Sequence, residues 1–353
     1  MKNKVTIQDR IIGPDQPPYI VAEISGNHCG EIIRAKKLIK LAKDSGACAV
    51  KLQTFTADSL TLNSDSDKFI LKEGTWAGRR LYDLYTETHT PWSWFRELFS
   101  YADTIGITIF SSPFDLKAVK LLEELDAPAY KIASNELVDW PLVEAVVKTG
   151  KPVIVSTGTA SKQDVADTLE FIKEIGGNKV IVLHCVSAYP AHARDSHLET
   201  MIDLRDSFDV PVGLSDHTLG TVTSVAAVAL GACIIEKHYT LDRTDGGPDS
   251  SFSLEPEELK LLCRDTLCAW ESVQGIKYGN ETNLEKKGIF TRQFWSIMDI
   301  NVGTIISKEN VKSVRAPANE DGISPKHFRD LFGKRAKNHI QKHSPIRFID
   351  IQN

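Results

Sequence analysis

The sequence predicts an α/β protein, built as an eight-stranded (β/α)8 TIM barrel with a small domain after it. Eight short apolar runs rich in β-branched residues alternate with amphipathic stretches. Most of these runs are apolar throughout, which is typical of parallel strands buried on both faces. Eight strand–helix units match a closed barrel. The predicted strands are Tyr19–Ser25, Ala49–Phe55, Thr108–Phe114, Ala129–Ser134, Pro152–Gly158, Val180–Ser187, Val210–Asp216 and Ala232–Tyr239.

Amphipathic segments between these runs predict the helices. They are Ile32–Asp44, Leu116–Leu125, Pro141–Lys148, Lys162–Ile175 and Val222–Leu230, with a last barrel helix over Glu257–Gly275. A doubly wound open sheet is the alternative architecture. It would carry a glycine-rich turn after its first strand, and the segment Gly26–Gly30 is a poor version of that turn. The barrel is therefore the preferred interpretation.

One connection, from Thr56 to the helix near Trp92, is unusually long. Connections of this length in a compact domain are usually functional or disordered. Its aromatic residues, among them Trp76, Tyr82 and Tyr85, favour a folded lid.

The chain is expected to divide into a barrel (residues 1–278), a polar linker (residues 279–290) and a C-terminal domain (residues 291–353). The C-terminal part changes to short strand-like pieces and turns. A domain of roughly 60 residues forms only a marginal core. We therefore expect it to lean on the barrel or on a second subunit.

Composition limits the possible functions. The chain of 353 residues is 42% hydrophobic and 25% charged, as expected for a globular protein, and its net charge of −5 argues against nucleic-acid or anionic-membrane partners. Its N-terminus lacks the apolar core of a signal peptide, and no run reaches the roughly 18 apolar residues of a membrane span. The six cysteines form no regular framework, which favours reduced thiols in the cytoplasm over disulfides.

Polar side chains occur at the carboxyl ends of all eight predicted strands, where a barrel of this type carries its active site. A polar group at one strand end is uninformative, but eight converging on one mouth are hard to explain as packing. The residues are Glu23, Lys51, Gln53, Ser111, Ser112, Lys131, Ser134, Ser156, Thr157, His184, Ser187, Ser215, His217, Glu236 and His238.

Two histidines at neighbouring strand ends suggest a metal site. Alternate residues of a strand share a face, so His217 points the same way as Ser215, and His238 the same way as Glu236. Two imidazoles near Glu236 could ligate a divalent metal and leave positions open for substrate or water. The other interpretation is a pair of hydrogen-bonded structural histidines.

Two predicted strands carry a lysine inside the barrel, Lys51 and Lys131. A buried lysine is costly unless it is paired or functional. The preferred interpretation is a clamp for a phosphate or carboxylate, with hydrogen bonds from Ser134, Ser156, Ser187 and Ser215. The alternatives are a Schiff-base lysine, as in class I aldolases, or side chains that extend to solvent.

Other polar residues are ambiguous from sequence. The loop after the last strand contains Asp242, Arg243, Asp245 and Asp249, which could bind sugar hydroxyl groups or form a solvated turn. Arg315 is equally open. Cys29 and Cys185, near strand ends, are interpreted as packing residues rather than nucleophiles.

Several of these segments together resemble the sialic acid synthase family, in order and over nearly the whole chain. The last segment, around Ile306–Arg315, resembles that family's antifreeze-like (SAF, β-clip) domain. Within the family, Leu81–Trp92 and Asp245–Pro256 are similar to the pseudaminic acid synthase branch rather than the neuraminate or legionaminate branches. The matching segments are Glu23–Gly30, Lys51–Gln53, Ser111–Phe114, Lys131–Ser134, Ser156–Gly158, Gly213–Thr218 and Glu236–His238.

The resemblance implies condensation of phosphoenolpyruvate with an open-chain amino sugar, here 2,4-diacetamido-2,4,6-trideoxy-L-altrose, with release of phosphate. It implies a manganese or magnesium ion on His217 and His238, acid/base duty for Glu23, and a domain-swapped homodimer whose Arg315 reaches the other barrel mouth. The phosphoenolpyruvate positions are Lys51, Ser112, Lys131, Ser134, Ser156, Ser187 and Ser215. The sugar positions are Gln53, Glu136, Tyr189, Asp249 and Arg315.

Two departures from the family pattern limit this transfer. The family usually has a compact Arg-Pro-Gly-x-Gly turn, whereas this chain has extra residues over Arg315–Gly322, which puts the reach of Arg315 in doubt. Cys29 stands where a small polar residue is common, and its effect is open. A Schiff-base lyase using Lys131 and a non-catalytic sugar-binding protein are the competing functions.

Overall fold

The computed structural model describes residues 4–74, 76–276, 278, 291–315 and 320–352. The chain forms two compact units, residues 1–274 and 275–353. Within the described part of the first unit, eight parallel strands close into a barrel, because the last strand pairs with the first. The predicted barrel is confirmed, and the open doubly wound sheet is excluded. The barrel strands are β3 (Tyr19–Glu23), β4 (Ala49–Thr54), β5 (Thr108–Pro113), β6 (Tyr130–Ile132), β7 (Val153–Ser156), β8 (Val180–Cys185), β9 (Val212–Asp216) and β10 (Ile234–His238).

Helices follow the strands and cover the outside of the barrel. Their apolar faces pack on the strands around residues such as Leu38, Phe95 and Leu122, which are buried completely. The helices are α1 (Ile32–Asp44), α2 (Ala57–Leu60), α3 (Leu81–Thr88), α4 (Phe95–Ile105), α5 (Leu116–Glu124), α6 (Trp140–Val147), α7 (Lys162–Glu174), α8 (Glu199–Phe208), α9 (Val222–Ala229) and α10 (Pro256–Ser272).

The amino end of the barrel is closed by a hairpin that sequence reasoning did not predict. It consists of β1 (Val5–Ile7) and β2 (Arg10–Ile12), paired antiparallel. Ile7 and Ile12 are buried in one cluster with interior strand residues such as Tyr19. This plug makes the amino half of the barrel an apolar core, so the polar interior positions lie at the carboxyl half.

The strand register places the polar strand ends at a common height. Glu23 pairs with Lys51 on one side and with His238 on the other. Glu236 pairs with Ser215. Side chains of the same parity on paired strands point to the same side of the sheet, so these residues converge inside the barrel mouth.

Residues 56–94, here called the lid segment, connect β4 to α4. The segment is folded as expected: it contains α2, α3 and 3₁₀ turns over Asp67–Phe69 and Trp92–Trp94. An isolated antiparallel bridge joins Ile70 to Arg80. Residue 75 lies outside the described residues.

The second unit has its own small core. It contains β11 (Arg292–Ser296) paired antiparallel with β12 (Val311–Arg315), and α11 (Phe328–Leu331). Phe294, Ile306 and Val311 are buried in one cluster. The expected linker, residues 279–290, lies outside the described residues, as do residues 316–319 of the altered turn. No described helix is both long and apolar enough to cross a membrane.

Candidate active site

A cavity of about 430 Å³ opens at the carboxyl ends of the barrel strands. It brings together most of the predicted site residues, although they are scattered over more than half of the chain. Those that line it are Lys51, Gln53, Ser112, Lys131, Ser134, Glu136, Ser156, Ser187, Tyr189, Ser215, His217, His238 and Asp249.

Two predicted site residues, Glu23 and Arg315, are not among the residues that line the cavity. Glu23 is buried, and its carboxylate contacts Lys51 and accepts a hydrogen bond of 3.0 Å from Gln53, both of which line the cavity. Glu23 is not itself among the lining residues. Arg315 is the exposed last residue of β12 in the second unit. Its reach to a barrel mouth stays a prediction.

Lysines and carboxylates are paired at the cavity floor. Lys131 Nζ lies 3.5 Å from Glu236 Oε1, and Lys51 Nζ lies 3.7 Å from the same oxygen while also contacting Glu23. Ser215 donates to Glu236 Oε1 at 3.3 Å. Both lysines are therefore neutralised in part by carboxylates, as a buried cation requires.

The surroundings of Glu23 and Glu236 shift the pKa values of their carboxyl groups in opposite directions. Burial raises the pKa of Glu23, and the opposing charge of Lys51 does not fully offset this. Burial acts on Glu236 in the same direction, but Lys131, Lys51 and His217 together hold the pKa of Glu236 below its ordinary value. Two neighbouring carboxyl groups with pKa values moved in opposite directions are typical of acid/base sites.

The two lysines also differ. Burial tends to lower the pKa of Lys51, but Glu23 and Glu236 outweigh it, so that pKa is raised. For Lys131 burial prevails over Glu236, and the pKa is lowered. Lys51 is thus the more firmly charged of the two cations at the floor.

The rings of His217 and His238 lie side by side, with centroids 5.3 Å apart. His217 Nδ1 is 2.9 Å from the Val186 carbonyl, and His238 Nδ1 is 3.5 Å from Asp249 Oδ2. For His217 the carbonyl acceptor next to Nδ1 favours the tautomer that leaves Nε2 as the available ligand, whereas His238 Nδ1 has no hydrogen-bond partner among the described residues. Burial, reinforced by His217 and Lys51, keeps the pKa of His238 well below its usual value, so this imidazole is neutral, as a metal ligand must be.

The donor set suits an open metal site rather than a closed one. Within the described ranges, no group of three or more His, Cys, Asp or Glu side chains is placed to hold an ion. Two imidazoles at neighbouring strand ends fit a divalent ion that would take its other ligands from substrate and water. His217 and His238 therefore fit the predicted metal, which depends on the substrate to complete its shell.

Ser156 is a buried hydroxyl with no protein hydrogen-bond partner among the described residues. It lines the cavity at the end of β7. A buried polar atom without a partner is costly unless a ligand or water supplies one. Next to it Gly158 allows a close approach, since a Cβ there would lie 2.3 Å from Ser187 Oγ and 2.9 Å from Ser134 Oγ. These serines and Gly158 form a compact group of donors.

The loop after β10 contributes one of its four ambiguous residues to the cavity. Asp249 lines it, is buried, and accepts a hydrogen bond from Ser25. The others are engaged elsewhere: Arg243 pairs with Glu258, Asp245 pairs with Arg34, and Asp242 accepts from Thr244. For these three the solvated-turn interpretation is the correct one.

Sequence reasoning did not include several cavity residues. Glu236 was predicted at the barrel mouth near the histidines but was given no role of its own, yet it contacts both lysines. Cys185 lines the cavity 3.8 Å from His217 Nδ1, whereas Cys29 is exposed at a left-handed φ of 52°. For the cavity residues of the lid segment, the sequence contained no pattern that predicts a place in the site, apart from the aromatic residues near them.

With fold and site established, the class follows: the chain belongs to the NeuB family, whose model matches residues 38–278. A SAF domain model matches residues 297–352. Both confirm the resemblance noted in the sequence. The chain is an enzyme of the transferase type.

Among individual proteins, the chain is similar to pseudaminic acid synthases and to a legionaminic acid synthase. The chain is 42% identical to a pseudaminic acid synthase of Campylobacter jejuni over 96% of this chain and 98% of the relative. It is 38% identical to that of Helicobacter pylori, with the same coverage of both chains. A legionaminic acid synthase of Campylobacter jejuni is 36% identical over 93% of this chain and 98% of its own length.

A solved structure supports the same family. The N-acetylneuraminic acid synthetase of Leptospira borgpetersenii superposes with a TM-score of 0.72 at 30% identity, over 81% of this chain and 97% of that protein.

Proposed function

We propose that this enzyme is a pseudaminic acid synthase, which condenses phosphoenolpyruvate with 2,4-diacetamido-2,4,6-trideoxy-L-altrose and water. One observation carries the proposal: a single cavity is lined by Lys51 and Lys131 beside His217 and His238, and all four side chains are buried. Lysines suit a substrate that carries both phosphate and carboxylate. The names of the relatives that match nearly the whole chain support the sugar assignment.

The reaction forms one carbon–carbon bond and replaces the carbon–oxygen bond to phosphate at C2 by one to the oxygen of water. C3 of phosphoenolpyruvate attacks the sugar aldehyde, whose oxygen takes up a proton. A water molecule adds to C2 and gives up a proton. The resulting tetrahedral intermediate expels phosphate by cleavage of the C2–O bond.

Lys51 and Lys131 are proposed to hold the two anionic groups of phosphoenolpyruvate. The hydroxyls of Ser112, Ser134, Ser156, Ser187 and Ser215 complete this clamp. The free hydroxyl of Ser156 supports the role most directly, because a ligand oxygen would supply its partner. Fixed donors around developing charge stabilise a transition state without reorganisation.

Two carboxylates are candidates for proton transfer. Glu236 lines the cavity, and its Oε2 atom has no protein partner in the described part of the chain. Glu23 contacts Lys51 and Gln53 instead. We propose that Glu236 accepts the proton of the attacking water, and that Glu23, the first candidate from the sequence, orients Lys51.

His217 and His238 are the proposed ligands of a divalent ion, manganese or magnesium. Such an ion polarises a bound aldehyde oxygen as a Lewis acid. The Val186 carbonyl fixes the His217 imidazole at Nδ1, and Asp249 lies 3.5 Å from His238 Nδ1. Tyr189 packs on His217 with ring centroids 4.4 Å apart and limits its rotation.

The sugar would extend from the histidines towards Gln53, Glu136, Tyr189 and Asp249. Burial raises the pKa of Glu136. A group of this kind suits hydrogen bonds to amide or hydroxyl groups of a neutral sugar better than an ion pair.

The oligomer and compartment complete the proposal. We propose a homodimer in the cytoplasm, with Arg315 of one copy completing the site of the other. The second unit has exposed apolar side chains suited to such contacts, including Val302, Phe348 and Ile349. Arg315→Ala should raise KM for the sugar without changing the mass measured by light scattering. A monomeric mass for the wild type would contradict the dimer.

A phosphate-release assay with a panel of sugars tests the function. We expect phosphate from phosphoenolpyruvate with the altro-configured diacetamido sugar, and much less with its legionaminic counterpart or N-acetylmannosamine. Loss of activity in EDTA, restored by manganese, would exclude a Schiff-base lyase. Borohydride trapping of a keto acid on Lys131 would contradict the synthase.

A further inference from the structure

The lid segment gives the cavity an apolar wall. Three leucines of this wall come from separate parts of the segment: Leu60 ends α2, Leu71 follows the first 3₁₀ turn, and Leu81 begins α3. These three leucines are only half-buried, whereas Leu84, which also lines the cavity, is buried. A ligand in the cavity would therefore cover apolar surface that the protein leaves open.

Two tryptophan side chains anchor the lid segment to other parts of the barrel unit. Trp76 donates its Nε1–H to the Pro248 carbonyl at 3.2 Å, and its ring lies 5.8 Å from that of Tyr189. At the other end of the segment, Trp92 donates to the Phe55 carbonyl at 3.2 Å. These two hydrogen bonds tie the lid segment to the loop after β10 and to the residue that follows β4.

The positions of the lysines and histidines in the cavity set the orientation of the open-chain sugar under the proposed function. Lys51 and Lys131 mark the end for phosphoenolpyruvate, and His217 and His238 mark the place of the sugar aldehyde under the proposed function. The far end of an open-chain sugar then extends away from the strand ends. The apolar wall is the remaining side of the same cavity.

Apolar walls discriminate between terminal groups. A terminal methyl group gains from burial against leucine side chains. A terminal hydroxymethyl group would lose hydration there, because the three leucines offer no hydrogen-bond partner. The polar groups that line the lid side, Tyr85 and Thr88, belong to α3 and its end.

We infer that Leu60, Leu71 and Leu81 form an apolar subsite that selects open-chain amino sugars ending in a methyl group over those ending in a hydroxymethyl group. This inference rests on the proposed function and adds the residues that impose the selection. The lid segment is then a specificity element of the synthase as well as a cover.

The test compares kcat/KM for two sugars that differ only in a hydroxyl group at the terminal carbon. The wild type should prefer the 6-deoxy sugar by roughly 10- to 100-fold, the range for such differences in an apolar pocket. Leu81→Ser and Leu71→Ser should each reduce this preference about tenfold through KM for the 6-deoxy sugar. KM for phosphoenolpyruvate should stay unchanged.

Two controls separate selection from a general loss of structure. Leu62→Ser changes a lid leucine that is 67% exposed and should keep the wild-type preference. Leu81→Met keeps apolar volume and should also keep it. An equal decrease in kcat/KM for both sugars in Leu81→Ser would overturn the inference. So would a wild type with the same kcat/KM for both sugars. A wild type that releases no phosphate with either sugar would instead overturn the proposed function.

Discussion

Lys237 Nζ lies 2.8 Å from Asp216 Oδ2, and both side chains are 1% exposed. Each residue stands next to one of the cavity histidines, since Asp216 ends β9 directly before His217 and Lys237 precedes His238 on β10. Lys237 also donates to the Thr218 carbonyl at 2.6 Å. The ion pair therefore ties together the two strand ends that set the separation of the imidazoles.

Lys237→Met should disturb that separation. It leaves Asp216 buried without its cation, so we expect a loss of about 3 kcal/mol or more in the free energy of unfolding. Displaced imidazoles should bind Mn²⁺ roughly 10- to 100-fold more weakly, as for other residues that orient metal ligands. Urea unfolding and Mn²⁺ titration measure the two effects.

The matched control for Lys237→Met is Lys162→Met, which breaks the exposed pair with Asp203. It should change the free energy of unfolding by less than about 1 kcal/mol. Wild-type Mn²⁺ affinity in folded Lys237→Met would show that the pair has no positioning role.

Ser156→Ala removes a buried hydroxyl that has no protein partner in the described residues. The folded protein should lose no stability, because no internal hydrogen bond breaks. KM for phosphoenolpyruvate should rise about tenfold, the effect of one hydrogen bond to a charged group. Steady-state kinetics and thermal unfolding check both statements.

Ser224→Ala provides the contrast for Ser156→Ala. Ser224 donates to Asp216 Oδ2 at 2.6 Å. Its loss should cost about 1.5–3 kcal/mol of stability and leave KM for phosphoenolpyruvate nearly unchanged. If Ser156→Ala destabilised the fold as much as Ser224→Ala, the hydroxyl would be a structural partner and not a ligand donor.

Gly158→Ala places a methyl group among the serine hydroxyls, 2.3 Å from Ser187 Oγ. The hydroxyls can rotate away, so the fold should persist while phosphoenolpyruvate binding is lost. In Gly213→Ala the new Cβ meets the backbone oxygen of Ile234 at 2.3 Å, and the barrel itself should be destabilised. Circular dichroism and ligand-induced thermal shifts distinguish the two variants; tight binding in Gly158→Ala would refute the donor group.

His28 should make the stability depend on pH. Burial, with smaller effects of His89 and Arg34, lowers the pKa of His28 from 6.5 to about 4. In the unfolded chain His28 therefore becomes protonated near pH 6.5, whereas in the folded chain it becomes protonated only near pH 4. Stability is fully present above the higher value and falls by about 3 kcal/mol as the pH drops through this window.

His28→Asn removes the titration and offers an oxygen acceptor for the Gly30 N–H that His28 Nδ1 now accepts at 3.1 Å. Its unfolding free energy should fall less than that of the wild type between about pH 6.5 and pH 4.5. His339→Asn, at an exposed position, should keep the wild-type profile. Equal slopes for wild type and His28→Asn would contradict the assignment.

The barrel could be predicted because its strands are long apolar runs, each close to the strand in the structure. The hairpin of β1 and β2 could not, since each of its strands has only three residues and lies in no longer apolar run. Parity placed His217, His238 and Glu236 inside the barrel. It could not show that Glu236 meets Lys51 and Lys131, because these contacts join strands distant in sequence.

The wall of the lid segment escaped prediction for a similar reason. Leu71 and Leu81 look like ordinary apolar residues of a loop. They line the cavity in the folded chain, where Trp76 of the same segment contacts Pro248 across 172 positions of sequence. Non-local packing of this kind has no local pattern in the sequence.

Mn²⁺ binding to the metal-stripped enzyme, followed by electron paramagnetic resonance, tests the central claim most directly. We expect one site per chain in the wild type, loss of that site in His217→Ala and in His238→Ala, and unchanged circular dichroism in both variants. Phosphate release should disappear with the site. Full Mn²⁺ binding in either variant, or full turnover by the metal-stripped wild type, would contradict the claim that these two histidines hold the metal of a phosphoenolpyruvate-dependent synthase.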